Sequence, residues 1–251
     1  MKKLLDLQNV SMNYQTESDE IRAIDDISFS CGEGEFLSII GPSGCGKTTV
    51  LSIIAGLIEP TEGKIFIDGK DNKKSLGDIG YMLQKDQLFP WRTIEKNVYL
   101  PLEIKNLNDK AHKTYALELL KKYGLYEFRA NYPRQLSGGM RQRAALIRTL
   151  VADPKILLLD EPFSALDYQT RLEVCDDVYE IIKKEGKTSV LVTHDISEAI
   201  SMSDIIVVLS ARPALVKSVY RPKLKGDSPL KKRESPEFGF WFEKLWKELN
   251  K

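Results

Sequence analysis

Cysteine is scarce in this chain, histidine scarcer, and a long apolar run is missing altogether; each shortage removes a class of protein. The three cysteines, Cys31, Cys45 and Cys175, form neither a metal-binding nor a disulfide pattern, which suits a reducing compartment. No apolar run approaches the ~20 residues that cross a bilayer, the best being 156–159 and 205–209. The opening Met1-Lys-Lys-Leu-Leu-Asp6 lacks the long apolar core of a secretory signal. An excess of one charge is absent too. Lys plus Arg number 37 and Asp plus Glu 36, a net charge of +1, which argues against a protein built to grip nucleic acid. The expectation is a soluble, intracellular chain whose membrane role, if any, comes through a partner. Its 251 residues suffice for one large α/β domain, or a domain with a subdomain, and a sizeable core.

What the chain does have is the stretch Gly41-Pro42-Ser43-Gly44-Cys45-Gly46-Lys47-Thr48-Thr49. It fits the phosphate-loop pattern G-x-x-x-x-G-K-[ST], with a strand-like segment at 36–40 before it and a helix-like one at 49–55 after it. Strand, glycine turn and helix in that order aim backbone N–H groups and a helix N-terminus at one point, which suits a polyphosphate. Lys47 adds a point charge for the β- and γ-phosphates, and the Thr48 hydroxyl can ligate Mg²⁺. Cys45, inside the loop, is expected to be favoured as a thiolate by the helix N-terminus. The reading is a chain that binds a nucleoside triphosphate.

Around this loop the chain changes character twice. Segments 4–10, 22–30, 35–40, 63–69 and 79–84 read as strands separated by polar or glycine-rich turns. From about 88 to 152 the pattern becomes helical, with 109–122 near helical spacing and 141–150 following a Ser-Gly-Gly turn. Strands at 155–160, 189–193 and 205–209 then alternate with helices at 169–184 and 196–202, which implies parallel β packed between helices. The tail, 221–233, is basic and proline-containing. After it, Ser235-Pro236-Glu237 reads as a helix start, and Phe238, Trp241, Phe242, Leu245 and Leu249 share a stripe expected to fold back on the domain, the alternative being docking on a membrane-embedded partner or the bilayer interface.

Two further motifs complete the chemistry. The apolar run Lys155–Leu159 ends in Asp160 and Glu161. Asp160 is placed to hold Mg²⁺, and Glu161 to orient and deprotonate an attacking water. Leu136-Ser137-Gly138-Gly139-Met140-Arg141-Gln142-Arg143 opens a helix with a hydroxyl, bare N–H groups and a helix dipole, a second anion cradle. Here the sequence resembles the ATP-binding subunits of ABC transporters, in which this signature binds the γ-phosphate of ATP held by the opposite subunit.

The resemblance covers most of the chain and implies an α/β fold: a P-loop NTPase core of the ABC ATPase type, with an antiparallel β subdomain and a helical insert. It divides the chain into an ATPase domain over 1–220, with the insert at about 88–152, and a tail over 221–251. By the same resemblance Tyr14 stacks on adenine, Gln84 contacts Mg²⁺ and the attacking water, Ser164-Ala165-Leu166-Asp167 crosses the dimer interface, and His194 touches the γ-phosphate. A neutral His194 is expected to donate to a phosphate oxygen and hold Glu161 or the water in line. His112, in the insert, reads as solvated surface. Met140 departs from the family, where glutamine is frequent; the phosphate contacts the resemblance gives to Ser137 and Gly139 are not touched by this, Gly138 lies between them, and the contact of residue 140 with the partner subunit is expected to differ. The implied partners are a second copy in a head-to-tail, ATP-sandwiching dimer, a membrane permease reached through Phe89-Pro90-Trp91-Arg92, and indirectly a solute-binding protein, with the chain peripheral on the cytoplasmic side of the cell membrane.

Leu88-Phe-Pro-Trp91, the signature and Leu209-Ser-Ala-Arg-Pro213 are similar to the nitrate, sulfonate and taurine group of bacterial importers. The rival class is a soluble ABC ATPase acting on ribosomes or in DNA repair. Such proteins resemble tandem cassettes or carry long coiled-coil insertions, and neither is present here. Glu161 and His194 oppose a module that binds ATP without hydrolysing it.

Overall fold

Burial sorts the strands into two sheets. The computed structural model describes residues 2–15, 19–107 and 109–250. Met1 and Lys251, the ends of the two expected segments, and Asn108 within the expected insert lie outside them. Along the chain come β1 (Lys3–Gln15), β2 (Glu20–Gly32), β3 (Phe36–Ile40), α1 (Lys47–Ile54), β4 (Glu62–Ile67), β5 (Lys70–Asp71) and β6 (Ile79–Met82). Three helices follow, α2 (Ile94–Ile104), α3 (Lys110–Lys122) and α4 (Gly138–Leu150). Strand and helix then alternate through β7 (Ile156–Asp160), α5 (Tyr168–Lys184), β8 (Thr188–Val192), α6 (Ile196–Met202) and β9 (Ile205–Leu209), before β10 (Val216–Tyr220), α7 (Pro229–Arg233) and α8 (Pro236–Leu249).

The first sheet is antiparallel, ordered β2-β1-β4-β5; the second is ordered β10-β9-β3-β8-β7-β6 and is parallel except for β10. Every residue of β3, β7, β8 and β9 is buried, as parallel strands covered on both faces must be, and their sequences are accordingly near-continuous apolar runs. One core lies between the antiparallel sheet, α1 and one face of the parallel sheet, around Leu5, Ile24, Ile53 and Val207. A second lies between the other face and α2–α5, around Val98, Leu120, Leu146 and Val178.

Three departures from the sequence reading have local causes. β1 runs on past Val10 to Gln15 through several register irregularities, which break the alternation that marks a strand. β10 was not expected: it is an edge strand whose residues alternate between half-buried and exposed, so it shows little apolar signal. The basic segment after it contains the short helix α7, capped by Ser228.

The tail folds back on the chain's own core. Leu245 of α8 is fully buried against Ile40, Ile196, Ile200, Ile206 and Val208. Glu248 anchors the helix end to β10, accepting from the Tyr220 hydroxyl at 2.6 Å, while its carbonyl accepts from Lys217 at 2.8 Å. Among the described residues no helix is long and apolar enough to cross a membrane.

The feature of the fold that matters for chemistry is alignment. Register pairs Ile39 with Val192, Val192 with Asp160 and Leu159 with Met82, so β3, β8, β7 and β6 end at one edge of the sheet. The loops that follow carry Gly41–Gly46, His194, Glu161 and Gln84. In open α/β sheets the crevice outside the carboxyl ends of the strands is where ligands bind.

Candidate active site

The loop between β3 and α1 closes on itself through its lysine. Lys47 is 7 % exposed, and its ammonium donates to the carbonyls of Gly41 at 2.9 Å and Pro42 at 3.0 Å. Gly46, the N-cap of α1, takes φ +119°, open to glycine and strained for any L side chain. The first N–H groups of α1 thus face the loop's mouth with no helical partner. A contact invisible to motif reasoning comes from the segment after β9, where Arg212 donates to the Gly44 carbonyl at 3.2 Å.

Cys45 does not behave as the sequence suggested. Its side chain is buried, at 1 % exposure, and burial pushes the thiol up, outweighing the opposing pull of Lys47 and the loop N–H groups. The helix terminus is real, but the sulfur points into the core rather than into the loop's mouth, so no thiolate is favoured.

Beside the loop stands Asp160, the last residue of β7, at 7 % exposure. Its carboxyl accepts two long hydrogen bonds, from Thr48 Oγ1 at 3.3 Å and Tyr81 OH at 3.4 Å. Burial pushes its proton affinity up, Thr48 opposes this, and the Glu161 charge adds to it. A buried carboxylate so thinly supported fits a cation partner. Among the described residues no cluster of three or more His, Cys, Asp or Glu exists to cage a metal. The donor set, one carboxylate and one hydroxyl beside a phosphate loop, would suit a hard divalent cation such as Mg²⁺. Tyr81 was not among the expected site residues, since a strand tyrosine carries no motif.

Glu161 follows immediately and turns the other way. Its backbone takes φ +43°, left-handed and uncommon for a side-chain-bearing residue. Its N–H donates to Val192 O at 2.9 Å and its carbonyl accepts from Ser164 Oγ at 2.9 Å, bonds that hold the strained turn. Such outliers cost about 1–3 kcal/mol and gather at functional sites. The turn brings the Glu161 carboxylate to His194 Nδ1, at 3.2 Å, and to Gln84 Nε2, at 3.4 Å; the same Gln84 nitrogen lies 3.4 Å from Ser164 Oγ.

Gln84 contacts Glu161 and Ser164, and among the described residues it makes no hydrogen bond to Thr48 or Asp160.

Tyr14, one residue from the end of β1, sets its hydroxyl 3.4 Å from Thr49 Oγ1 in the first turn of α1, its ring partly exposed. Ser137, Gly138 and Gly139 open α4, with Ser137 Oγ accepting from Met140 N at 3.3 Å. A Cβ on Gly139 would come within 2.8 Å of Val174, so that glycine also serves the packing of α4 on α5. Met140 leans on the helical core. No hydrogen bond or ion pair among the described residues joins this signature, or Asp167, to the phosphate loop. Asp167 caps α5, accepting from Thr170 N at 3.1 Å. His112 is held at the surface, its Nδ1 2.6 Å from Asp109.

The loop bearing His194 rests on a buried acid that sequence reasoning missed. Glu198 of α6 is 3 % exposed and accepts from Thr193 Oγ1 at 2.6 Å. Burial, its largest influence, pushes its pKa from 4.5 to about 7, against the Thr193 hydrogen bond. The folded value exceeds the unfolded one. The stability this contributes is complete below the unfolded value and is lost as pH rises through about 7. Glu198→Gln keeps an acceptor for Thr193 without the charge. It is expected to melt on the order of 5 °C above the parent at pH 8, with the gain vanishing as pH falls toward 4.5; thermal unfolding across pH checks this.

Comparison with known proteins agrees with this geometry. The profile of the ABC transporter family matches residues 24–164, more than half of the chain. The uncharacterized ABC transporter ATP-binding protein YtlC of Bacillus subtilis (strain 168) is 49 % identical over 248 residues, covering 98 % of this chain and 95 % of that one. The aliphatic sulfonates import ATP-binding protein SsuB of Bacillus cereus (strain ZK / E33L) is 41 % identical over 218 residues, 87 % of this chain and 86 % of its own. The solved dimer of the ATP-binding cassette MJ0796, in a post-hydrolysis state with ADP and Pi, superposes with a TM-score of 0.73 at 35 % identity, covering 87 % of this chain and 99 % of that one. Phosphate loop, paired carboxylates and cassette fold lead to one conclusion: the chain belongs to the ABC transporter family, as an ATP-binding subunit with ATPase activity.

Proposed function

We propose that this chain is the ATP-hydrolysing subunit of an importer, working as a homodimer on a separate permease. The observation that carries the hydrolytic part is the meeting of Glu161, Gln84, Ser164 and His194 beside the Lys47–Thr48–Asp160 group. In this reading Glu161 accepts a proton from the attacking water. The water oxygen bonds to the γ-phosphorus as the bridge to the β-phosphate breaks, releasing ADP and phosphate. Gln84 and His194 hold the carboxylate and water in line, and Lys47 leaves the Gly41 and Pro42 carbonyls for phosphate oxygens. Thr48 and Asp160 would hold Mg²⁺, which when bound neutralises phosphate charge. Tyr14 would flank adenine.

The second copy supplies Ser137, Gly138 and Gly139, with Asp167 near the crossing. The incompleteness of a single chain's site supports this, as does the solved MJ0796 dimer. Closure by ATP and opening after hydrolysis form a ligand-biased two-state element. The permease side is supported by an aromatic pair at the surface, Trp91 exposed and Phe89 half-buried beneath it. Phe89 and Trp91 stack at 5.0 Å, and Trp91 is 72 % exposed. Beside them lies a groove of about 670 Å³ lined by Arg92, Lys96, Tyr99 and Glu103. The buried Asn97 side chain pins this loop through Phe89 N and the carbonyls of Phe89, Arg92 and Thr93. Arg141 and Arg148 of the signature helix hold Asp86 and the carbonyls of Asp86 and Gln87, tying that helix to the segment leading into Phe89. The likeness to SsuB favours import of a small anion such as a sulfonate, delivered by a solute-binding protein, with the chain peripheral on the cytoplasmic membrane face and 221–251 as an appended tail.

Two measurements test the proposal. Glu161→Gln is expected to keep MgATP affinity, lose at least about 100-fold in turnover and accumulate as a dimer in sedimentation; a monomer turning over at the parent's rate would overturn it. The tagged chain drawn from detergent-solubilised membranes of its host is expected to bring a multi-span permease. Recovery of ribosomal or DNA-repair partners alone would refute import and leave the ATPase standing.

A further inference from the structure

Two loops flank Glu161 from opposite sides, and one side chain joins them. Arg171 lies in the first turn of α5. Its Nη2 donates to the Leu166 carbonyl at 2.9 Å, and its Nη1 pairs with Asp195 Oδ2 at 3.7 Å. Leu166 belongs to the loop Ser164–Asp167, whose Ser164 is bonded to Glu161 and within reach of Gln84. Asp195 follows His194, whose ring touches the Glu161 carboxylate. A closed circuit results: Glu161, Ser164, the loop to Leu166, Arg171, Asp195, His194, and back to Glu161.

The far side of the His194 loop is equally constrained. Asp195 Oδ1 caps α6, accepting from Ser197 N at 2.7 Å and Glu198 N at 3.2 Å, which leaves Oδ2 for Arg171. Asp195 N donates to Thr193 Oγ1 at 3.0 Å, and that hydroxyl donates to the buried Glu198. His194 is thus held between two pinned neighbours while its own ring stays largely exposed. The Nε of Arg171 is buried with no acceptor among the described residues. A guanidinium kept in place with one donor unmet is held there by what its other nitrogens grip.

We infer that Arg171 is a positioning residue for hydrolysis, coupling the loop Ser164–Asp167 to the loop of His194 so that the histidine meets Glu161 only when both loops are seated. This rests on the proposed catalytic role of Glu161. Arginine suits the task where lysine does not, because one arm of its planar fork donates to the Leu166 carbonyl while the other faces the Asp195 charge, whereas an ammonium is a single point charge. Substrate does not touch Arg171, so the signature of its loss is a fall in kcat without a fall in MgATP affinity.

The test uses the full chain and three variants. Arg171→Gln and Arg171→Lys are each expected to lower kcat at least about 10-fold, with the Kd for MgATP within about twofold of the parent. Asp195→Asn keeps a helix-capping oxygen and removes only the charge, so it is expected to reproduce the kcat loss. It also carries the test by itself if Arg171→Gln does not fold. The double variant Arg171→Gln/Asp195→Asn is expected to be no slower than Arg171→Gln, as for two ends of one interaction. Parent-like kcat in Arg171→Gln, or multiplying losses in the double variant, would overturn the inference. Should Glu161→Gln itself hydrolyse MgATP at the parent's rate, the underlying reading fails instead; should Glu161→Gln be inactive while Arg171→Gln is unaffected, only the coupling fails.

Discussion

The backbone ladder that joins β6, β7, β8 and β3 in register is the constraint on which the rest depends. Because side chains in a strand alternate and parallel pairing is evenly spaced, a shift of one residue would turn every buried side chain to the wrong face. With both faces buried, polarity alone does not fix this register; it is set by shape, because each face packs on its own core, Leu157 and Leu159 on the helical one, Ile156 and Leu158 on the other. Register therefore decides where four loops begin. Gly41, Gln84, Glu161 and His194 come from points far apart in sequence and meet because four strands stop together.

Around that edge the chain tolerates local costs that a merely stable protein would shed. Asp160 is buried with only two long hydrogen bonds, Glu161 is held in a left-handed turn, and Arg171 buries an unmet donor. Each disfavoured feature borders the proposed reaction centre; bonds to Val192 and Ser164 hold the Glu161 turn, and the Leu166 carbonyl holds Arg171. Asp160 and Glu161, adjacent in sequence, end on different partners. One faces Thr48 and Tyr81; the other faces Gln84 and His194. The strained peptide between strand and loop makes that separation, giving two carboxylates two environments and two proposed tasks.

The motifs were legible because each carries its chemistry in contiguous residues: the glycine loop with Lys47 and Thr48, the acid pair after an apolar strand, and the Ser-Gly-Gly helix start. Buried parallel strands were legible as well, since full burial demands uninterrupted apolar runs. What the sequence hid was relational. Tyr81 reads as one more strand residue until the fold sets it on Asp160. Arg171 and Glu198 read as ordinary polar positions of two helices, and only packing of α5 and α6 turns one toward the His194 loop and buries the other beneath it. Cys45 was misjudged for a related reason. A helix N-terminus is a property of the backbone, whereas the direction of a side chain leaving it is settled by the core, which here encloses the sulfur. β10 escaped notice because an edge strand needs only half of an apolar pattern.

The central claim is that one chain holds the nucleotide and a second completes its site. The measurement that bears on it most directly is an experimental structure of the chain with Mg²⁺ and a non-hydrolysable ATP analogue. The expected result is a two-fold dimer with the γ-phosphate lying between Lys47 of one protomer and the partner subunit's Ser137, the cation on Thr48 and Asp160, and Glu161 facing the γ-phosphorus. A nucleotide gripped by one chain alone, with both signatures remote from any phosphate, would contradict it.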